Sequence, residues 1–342
     1  MALPKHFLIK VAGGKTIGMP SVGFGTWAAG DSGWCKAAVL TALKLGYRHL
    51  DCAWKYGVDE EVGAAIRESG VPRSEIFVTT KFWPHFAAPE NVELCLDQSL
   101  KLMGLEYVDL LLAHWPVAFK PISREALEHA DTGKMASWAE KGILLRPGTD
   151  SPVIDWEHTC ANIANQAGQK GSFVPTWKSM QRLVSSGKTR AVGVSNFSIS
   201  ELKEILPHAE DIPISCNQVE VHPWLPQNEL IGFSRGHGIL TTCYSPFAGQ
   251  KADGATLLKD PTVKKLAEQC DMDVGQLLQS WAVQRGTVPL GKSQTEARIQ
   301  SNLAVRRLSP EVMAALDSLE VPNGKGRTND YSAVWGVNLY TN

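Results

Sequence analysis

The sequence predicts an α/β protein, a (β/α)8 (TIM) barrel, on three observations. Eight short apolar runs recur along the 342 residues. Amphipathic segments of helical period separate them. The runs are apolar on both faces, the pattern of parallel strands covered by helices. An open, doubly wound sheet is the alternative that the same alternation allows.

The chain opens on a predicted hairpin: "HFLIKV", a turn at Ala12-Gly13-Gly14-Lys15, then "TIGMP". The eight strands follow as "VGFGT" (22–26), "HLDCA" (49–53), "IFVTTK" (76–81), "VDLLLAHW" (108–115), "RAVGVSN" (190–196), "SCNQVEV" (215–221), "ILTTCYS" (239–245) and "TVPLGK" (287–292). Between the first two, "SGWCKAAVLTALKLG" places Trp34, Ala37, Ala38, Ala42 and Leu45 near one helical face and stops at Gly46. "PENVELCLDQSLKLMG" has Val92, Leu96, Leu100 and Met103 in step and also stops at a glycine. "PTWKSMQRLVSSGK" runs from Pro175 to Gly187, with proline in the first turn and glycine past the end. One connection breaks this rhythm. After the fourth strand, residues 118–174 are polar and glycine-rich, with Trp138 and Trp156, and the next helix is expected only at Pro175. A loop that long is usually functional or disordered, and in a barrel it would lie on the catalytic face.

Composition narrows the class. Charged residues are 20% and the formal net charge is −1, so neither nucleic acid nor an anionic membrane is an expected partner. No run of 18 apolar residues exists, and the N-terminal residues contain no apolar signal core. Cys35, Cys52, Cys95, Cys160, Cys216, Cys243 and Cys270 are odd in number with no C-x-x-C spacing. They read as reduced thiols, which makes a cytoplasmic location the expectation, and no metal site is expected.

Two nucleotide patterns occur. "GTVPLGKS" (286–293) fits the phosphate loop G-x-x-x-x-G-K-[ST]. Its middle residues, Thr287 to Leu290, are strand-like, and the helical "VGQLLQSWAVQRG" before them ends at Gly286. Gly286 therefore reads as a helix stop and the pattern as the eighth strand. Lys292 and Ser293 still fall between that strand and a following helix, a place where free N–H groups bind phosphate. "GFGTWA" (23–28) fits G-x-G-x-x-[GA], but Trp27 would hinder a pyrophosphate there, so it reads as the exit of the first strand.

The strand exits carry the chemistry. Asp51 ends the second strand and Tyr56 follows it; Lys81 ends the third and His114 the fourth. In a barrel these exits ring one cavity. A phenol titrates near pH 10 in water, and a neighbouring ammonium is expected to lower that value. Asp51 would hold Lys81, and His114 would hydrogen-bond a carbonyl oxygen beside Tyr56. Such a group suits reduction of C=O by hydride.

With these residues the chain resembles the aldo-keto reductase superfamily over almost its whole length. The resemblance lies in "MPSVGFGTW", "GYRHLDCAWKYGVDEEVGAAI", "FVTTKFW", "VDLLLAHWP", "GVSNFS", "CNQVEVHPW", "CYSPF" and "GKSQTEARIQSN", in that order. It implies one barrel domain over residues 1–342, with the hairpin capping the bottom, an inserted loop at 118–174 and a tail at 321–342 over the pocket. It implies a catalytic tetrad of Asp51, Tyr56, Lys81 and His114, with Tyr56 as general acid. It implies NADP(H) as cofactor. Ser195, Asn196 and Gln218 match residues that bind the nicotinamide carboxamide, and Tyr244 matches the ring that stacks on it. Ser245, Pro246 and Phe247 continue along the pyrophosphate, while Thr26 and Trp27, with Asp51, touch the nicotinamide end. Lys292, Ser293, Arg298 and Asn302 match the adenosine end, where Lys and Arg together favour a 2′-phosphate.

The chain departs from the family at Gly291, where proline is common, at Gln294 and Thr295, and in the length of the 118–174 loop. Trp27, Trp54, Trp83 and Trp115 all stand beside tetrad positions and are expected to wall an apolar substrate cleft. The expected partner is a small carbonyl or alcohol substrate, and the expected state a monomer or weak dimer. A nucleotide-sensing regulatory subunit is the alternative function, because channel β-subunits resemble this family and keep the tetrad.

Overall fold

The computed structural model describes residues 2–28, 33–133, 135–249 and 254–340. Strands β1 (His6–Lys10) and β2 (Thr16–Pro20) pair antiparallel from His6↔Pro20 to Lys10↔Thr16, around the predicted Gly13-Gly14 turn. Along the chain then come β3 (Gly23–Gly25), β4 (His49–Asp51), β5 (Phe77–Phe82), β6 (Leu110–Ala113), β7 (Ala118–Phe119), β8 (Ile154–Asp155), β9 (Val192–Ser195), β10 (Ile214–Glu220), β11 (Leu240–Tyr244) and β12 (Val288–Gly291). Eight of these, all but β1, β2, β7 and β8, form one closed parallel barrel. Closure is made by β12 and β3, through Leu290↔Gly23 and Gly291↔Phe24, and it rules out the open sheet. All eight predicted barrel strands are present.

The hairpin seals the bottom. Ile9, Val11 and Met19 pack with the inward-facing Phe77, Leu110, Leu112, Cys216, Val288 and Leu290 in an apolar cluster of their own. Water is thus kept from the amino end of the barrel, and the opposite end is left to form a site.

The helices stop where glycine predicted. Gly46, Gly104 and Gly187 have φ of 103°, 67° and 80°, which costs a residue with Cβ and costs glycine little. The first helix, Cys35–Lys44, corrects one expectation. Its buried face is Cys35, Ala38, Val39, Ala42 and Leu43, whereas Ala37 is exposed and Trp34 and Leu45 are only partly covered. The i, i+3, i+4, i+7, i+8 spacing of the true stripe is the helical one, and the expected stripe, which begins at the bulky Trp34, is out of phase with it.

The 118–174 segment is corrected as well. The helix Arg124–Glu128 begins well before Pro175, and Ala161–Gln166 forms another. Strands β7 and β8 pair antiparallel, with bridges Pro121↔Ile143 and Leu145↔Pro152 extending the ladder. These elements are too short to show a period in sequence. No described helix is long and apolar enough to cross a membrane.

Candidate active site

Register brings the tetrad together. Asp51 on β4 lies opposite Thr79 on β5, and Lys81 stands two residues beyond Thr79 on the same face. Lys81 Nζ donates to Asp51 Oδ2 at 2.8 Å, to the Cys52 carbonyl at 2.8 Å and to the Tyr56 hydroxyl oxygen at 3.2 Å. All three of its donor positions are used. Gln218 Nε2 donates to the other oxygen of Asp51 at 2.7 Å, and Thr26 Oγ1 donates to the Asp51 carbonyl at 2.9 Å. Tyr56 sits on a short 3-10 turn, Trp54–Tyr56, that Gly57 ends with φ of 63°. The His114 ring, just past β6, meets the Tyr56 ring edge-on at 5.8 Å.

Electrostatics alter one expectation. Burial pushes the Tyr56 phenol up to about 12, against the opposing pull of the Lys81 ammonium. The expected net lowering therefore does not occur in this site: removing the phenolate from water outweighs its charged neighbour. Lys81 is drawn down by burial but raised more by Asp51 and Tyr56 together, so it stays an ammonium. Burial, then Lys81 and Lys55, hold His114 well below the usual histidine range. Its imidazole is thus neutral at physiological pH and offers an N–H as a hydrogen-bond donor.

These groups open into a pocket of ≈ 510 Å³. Asp51, Tyr56, His114, Asn196, Gln218, Tyr244, Ser245, Pro246, Phe247 and Lys292 all line it. The expected walls Trp27, Trp83 and Trp115 are there too, Trp27 at the rim with 54% of its surface exposed. Trp54 is not. It is fully buried, its Nε1 donates to Gln98 Oε1 at 2.8 Å, and it packs edge-on against His85 and Phe86. Its place next to the exit of β4 turns it into the barrel wall.

The residues matched to the cofactor form a linked row. Ser195 Oγ donates to the Gln218 carbonyl at 2.8 Å, Asn196 Nδ2 to the His114 carbonyl at 2.9 Å, and Tyr244 OH to Asn196 Oδ1 at 2.7 Å. Asn196, Ser245 and Ala248 hold φ of 64°, 49° and 54°, a costly backbone for residues with Cβ. Such strain gathers where the surroundings enforce a functional shape. Toward the far end, Lys292 stands with its Nζ 4.4 Å from the Trp34 ring centroid. Ser293 and Asn302 are buried behind it, and Arg298 is exposed on the helix Glu296–Leu303. An aromatic face, two carboxamides and a cation in line fit a nicotinamide dinucleotide.

Gly286 has φ of 81° after the helix Val274–Gln284, and Val288–Gly291 is a strand, so no phosphate loop forms. Gly291, the departure from proline, has its own reason. Its N–H donates to Gln279 Oε1 at 3.1 Å, and Gln279 Nε2 donates in turn to the Asn302 carbonyl at 2.5 Å. Proline could not donate. A Cβ would also come within 2.6 Å of Gln279 Oε1 and 3.0 Å of the Phe247 ring.

Sequence reading missed Lys55, Met135, Trp138, Asn329 and Tyr331, all of which line the pocket. Met135 and Trp138 come from the long loop, Asn329 and Tyr331 from the tail. The tail is tied down by Glu220 at the end of β10. Its carboxylate accepts from Thr328 N at 2.8 Å, Thr328 Oγ1 at 2.5 Å and Asn329 N at 3.0 Å, and His222 Nε2 lies 2.9 Å away. Burial raises the Glu220 carboxyl, but His222 and the Thr328 donors outweigh it and leave the group below its ordinary value. Stability from a lowered carboxyl is present above its ordinary value and is lost as pH falls through the folded one. Glu220→Gln is expected to free the tail at neutral pH, read as faster limited proteolysis near residue 328, while the parent releases it only in acid.

The family model described as Aldo/keto reductase family matches residues 21–321. The chain belongs to the aldo/keto reductase family. It is 41% identical over 312 residues to a glycerol 2-dehydrogenase (NADP(+)) of Saccharomyces cerevisiae, covering 90% of each chain. It is 39% identical to an aldehyde reductase of the same yeast, covering 93% of this chain and 92% of that one. Among solved structures, the aldose reductase from Schistosoma japonicum superposes on this aldo/keto reductase with a TM-score of 0.74 at 29% identity, over 94% of both chains.

Proposed function

We propose that this aldo/keto reductase reduces aldehydes or ketones to alcohols with NADPH, and that Tyr56 delivers the proton. The relatives named above support the reaction class and the cofactor, and they lend nothing to the regulatory-subunit alternative. The observation that carries the assignment of roles is the three-way contact of Lys81 with Asp51, Cys52 and Tyr56 on the floor of the pocket.

Bound NADPH supplies a hydride to the carbonyl carbon. The chain does the rest. Trp27, Trp83 and Trp115 exclude water and hold an apolar body. The neutral His114 donates a hydrogen bond to the carbonyl oxygen and orients it toward Tyr56. As negative charge grows on that oxygen, the Tyr56 O–H gives up its proton. A pKa near 12 suits this step, since an alkoxide is a stronger base than a phenolate. Lys81 then stabilises the phenolate left behind, and Asp51 and Gln218 keep Lys81 in place.

Lys292 and Arg298 lie on the side matched to the adenosine, and they read a 2′-phosphate. Arg298→Ala is expected to weaken NADPH binding by about tenfold, a charge-assisted bond lost, and to leave NADH binding nearly unchanged. Tryptophan quenching by each nucleotide checks this; equal weakening of both would remove the 2′-phosphate from the account. No cysteine in the described residues forms a disulfide, and all but Cys270 are buried, which favours a reducing compartment such as the cytoplasm.

A further inference from the structure

We propose that Lys55 forms an anion subsite beside the proton donor, so that this enzyme prefers carbonyl substrates that also carry a carboxylate. The proposal rests on the reading of the pocket as a carbonyl-reducing site and names the substrate class within it.

Lys55 immediately precedes Tyr56 on the turn at the exit of β4, and both line the pocket. It is half-buried. Its Nζ lies 5.0 Å from the Trp138 ring centroid and 5.9 Å from that of Trp83. Among the described residues no carboxylate pairs with it. The other buried lysines of the region are satisfied: Lys81 by Asp51, and Lys141 by the Gly133 carbonyl at 2.5 Å. Asp51, the one carboxylate among the described residues that line the pocket, already accepts from Lys81 and Gln218. Among the described residues, the substrate half of the pocket therefore carries a positive charge with no counter-ion.

An ammonium partly removed from water and left unpaired is costly. Two indole faces offset part of that cost, because a cation is drawn to the face of tryptophan. An entering carboxylate would offset more, by a charge-assisted hydrogen bond in a site of low dielectric. Burial lowers the Lys55 ammonium with nothing acidic to oppose it, as an unpaired cation requires.

Geometry says where the anion lies relative to the reacting carbonyl. The Trp83 indole has Lys55 on one side and meets the His114 ring edge-on at 4.9 Å on another. A substrate whose carbonyl oxygen faces Tyr56 and His114 thus reaches Lys55 by passing along one indole. That span suits short aldehydic or keto acids, sugar acids with a free aldehyde, and ring aldehydes with a distal carboxylate. Trp138 gives the long loop a role, since it supplies the second face that holds the lysine.

The test compares 4-carboxybenzaldehyde with its methyl ester, which differ in charge and little in shape. Wild type, Lys55→Met and Lys55→Arg proteins are assayed with NADPH. In wild type the acid should have the higher kcat/KM. Lys55→Met keeps the apolar stem, so the acid-to-ester ratio should fall about tenfold or more, the effect of losing one charge-assisted bond, mainly through the KM of the acid. Lys55→Arg should retain most of the ratio. An identical ratio in wild type and Lys55→Met overturns the subsite, while turnover of the ester by wild type keeps the reductase reading intact. If neither aldehyde is reduced, the reductase reading fails, and the subsite is then decided by binding. The Kd of 4-(hydroxymethyl)benzoate for the NADP(+)-loaded protein should rise about tenfold in Lys55→Met, and an unchanged Kd overturns it.

Discussion

Tyr56→Phe is expected to lower kcat by about a thousandfold or more while NADPH still quenches tryptophan fluorescence at the same concentrations. The phenyl ring keeps the edge-on contact with His114 and the apolar fit; only the O–H is lost. Hydride transfer without a proton would leave an alkoxide in a buried site, which is uphill. The loss should fall on kcat and kcat/KM together, because the proton moves only in the transition state. His114 cannot replace the phenol, since burial and two lysines keep its ring neutral. Steady-state NADPH oxidation with a simple aldehyde checks the loss. A variant that retained wild-type turnover would remove Tyr56 from the mechanism.

Lys81→Met is expected to damage stability and activity at once. Lys81 is fully buried and donates to three acceptors. Methionine fills much of the volume but leaves Asp51 with Gln218 Nε2 as its remaining side-chain donor on the floor of the barrel. Breaking a buried pair by deleting one partner costs about 3–5 kcal/mol. The phenolate of Tyr56 would also lose the charge that opposes its burial, so its pKa should rise further and proton delivery should slow. Urea unfolding gives the first effect and kcat the second. Asp51→Asn with Lys81→Met, which removes both charges, should recover part of the stability and none of the rate. That split separates the structural role of the pair from its chemical one.

Much of this was legible in the sequence because the barrel repeats one physical pattern. Strands buried on both faces, such as β5 and β6, cannot hide their apolar runs, and glycines at 104, 187 and 286 mark helix ends that need positive φ. The meeting of Asp51, Tyr56, Lys81 and His114 could be read because parallel register brings strand exits to one rim. What failed had physical causes of its own. Trp54 and Trp83 look alike in sequence, each within three residues of a strand exit, yet one points into the wall and the other into the pocket. Lys55 carries no signal in sequence, because a lysine in a turn is usually solvated, and only the fold of the long loop brings Trp138 over it. The Glu220 latch depends on a tail more than 100 residues away, and no local signal could connect the two. The phenol shift needed the burial of Tyr56, which is a property of packing and not of the neighbouring charge alone.

Proton delivery from Tyr56 is tested most directly by a single turnover of NADPH and aldehyde, followed in ordinary and in heavy water. The wild-type reaction should slow in heavy water, and the residual reaction of Tyr56→Phe should show a different, smaller solvent effect. The same solvent effect in both proteins would mean that the proton comes from another source.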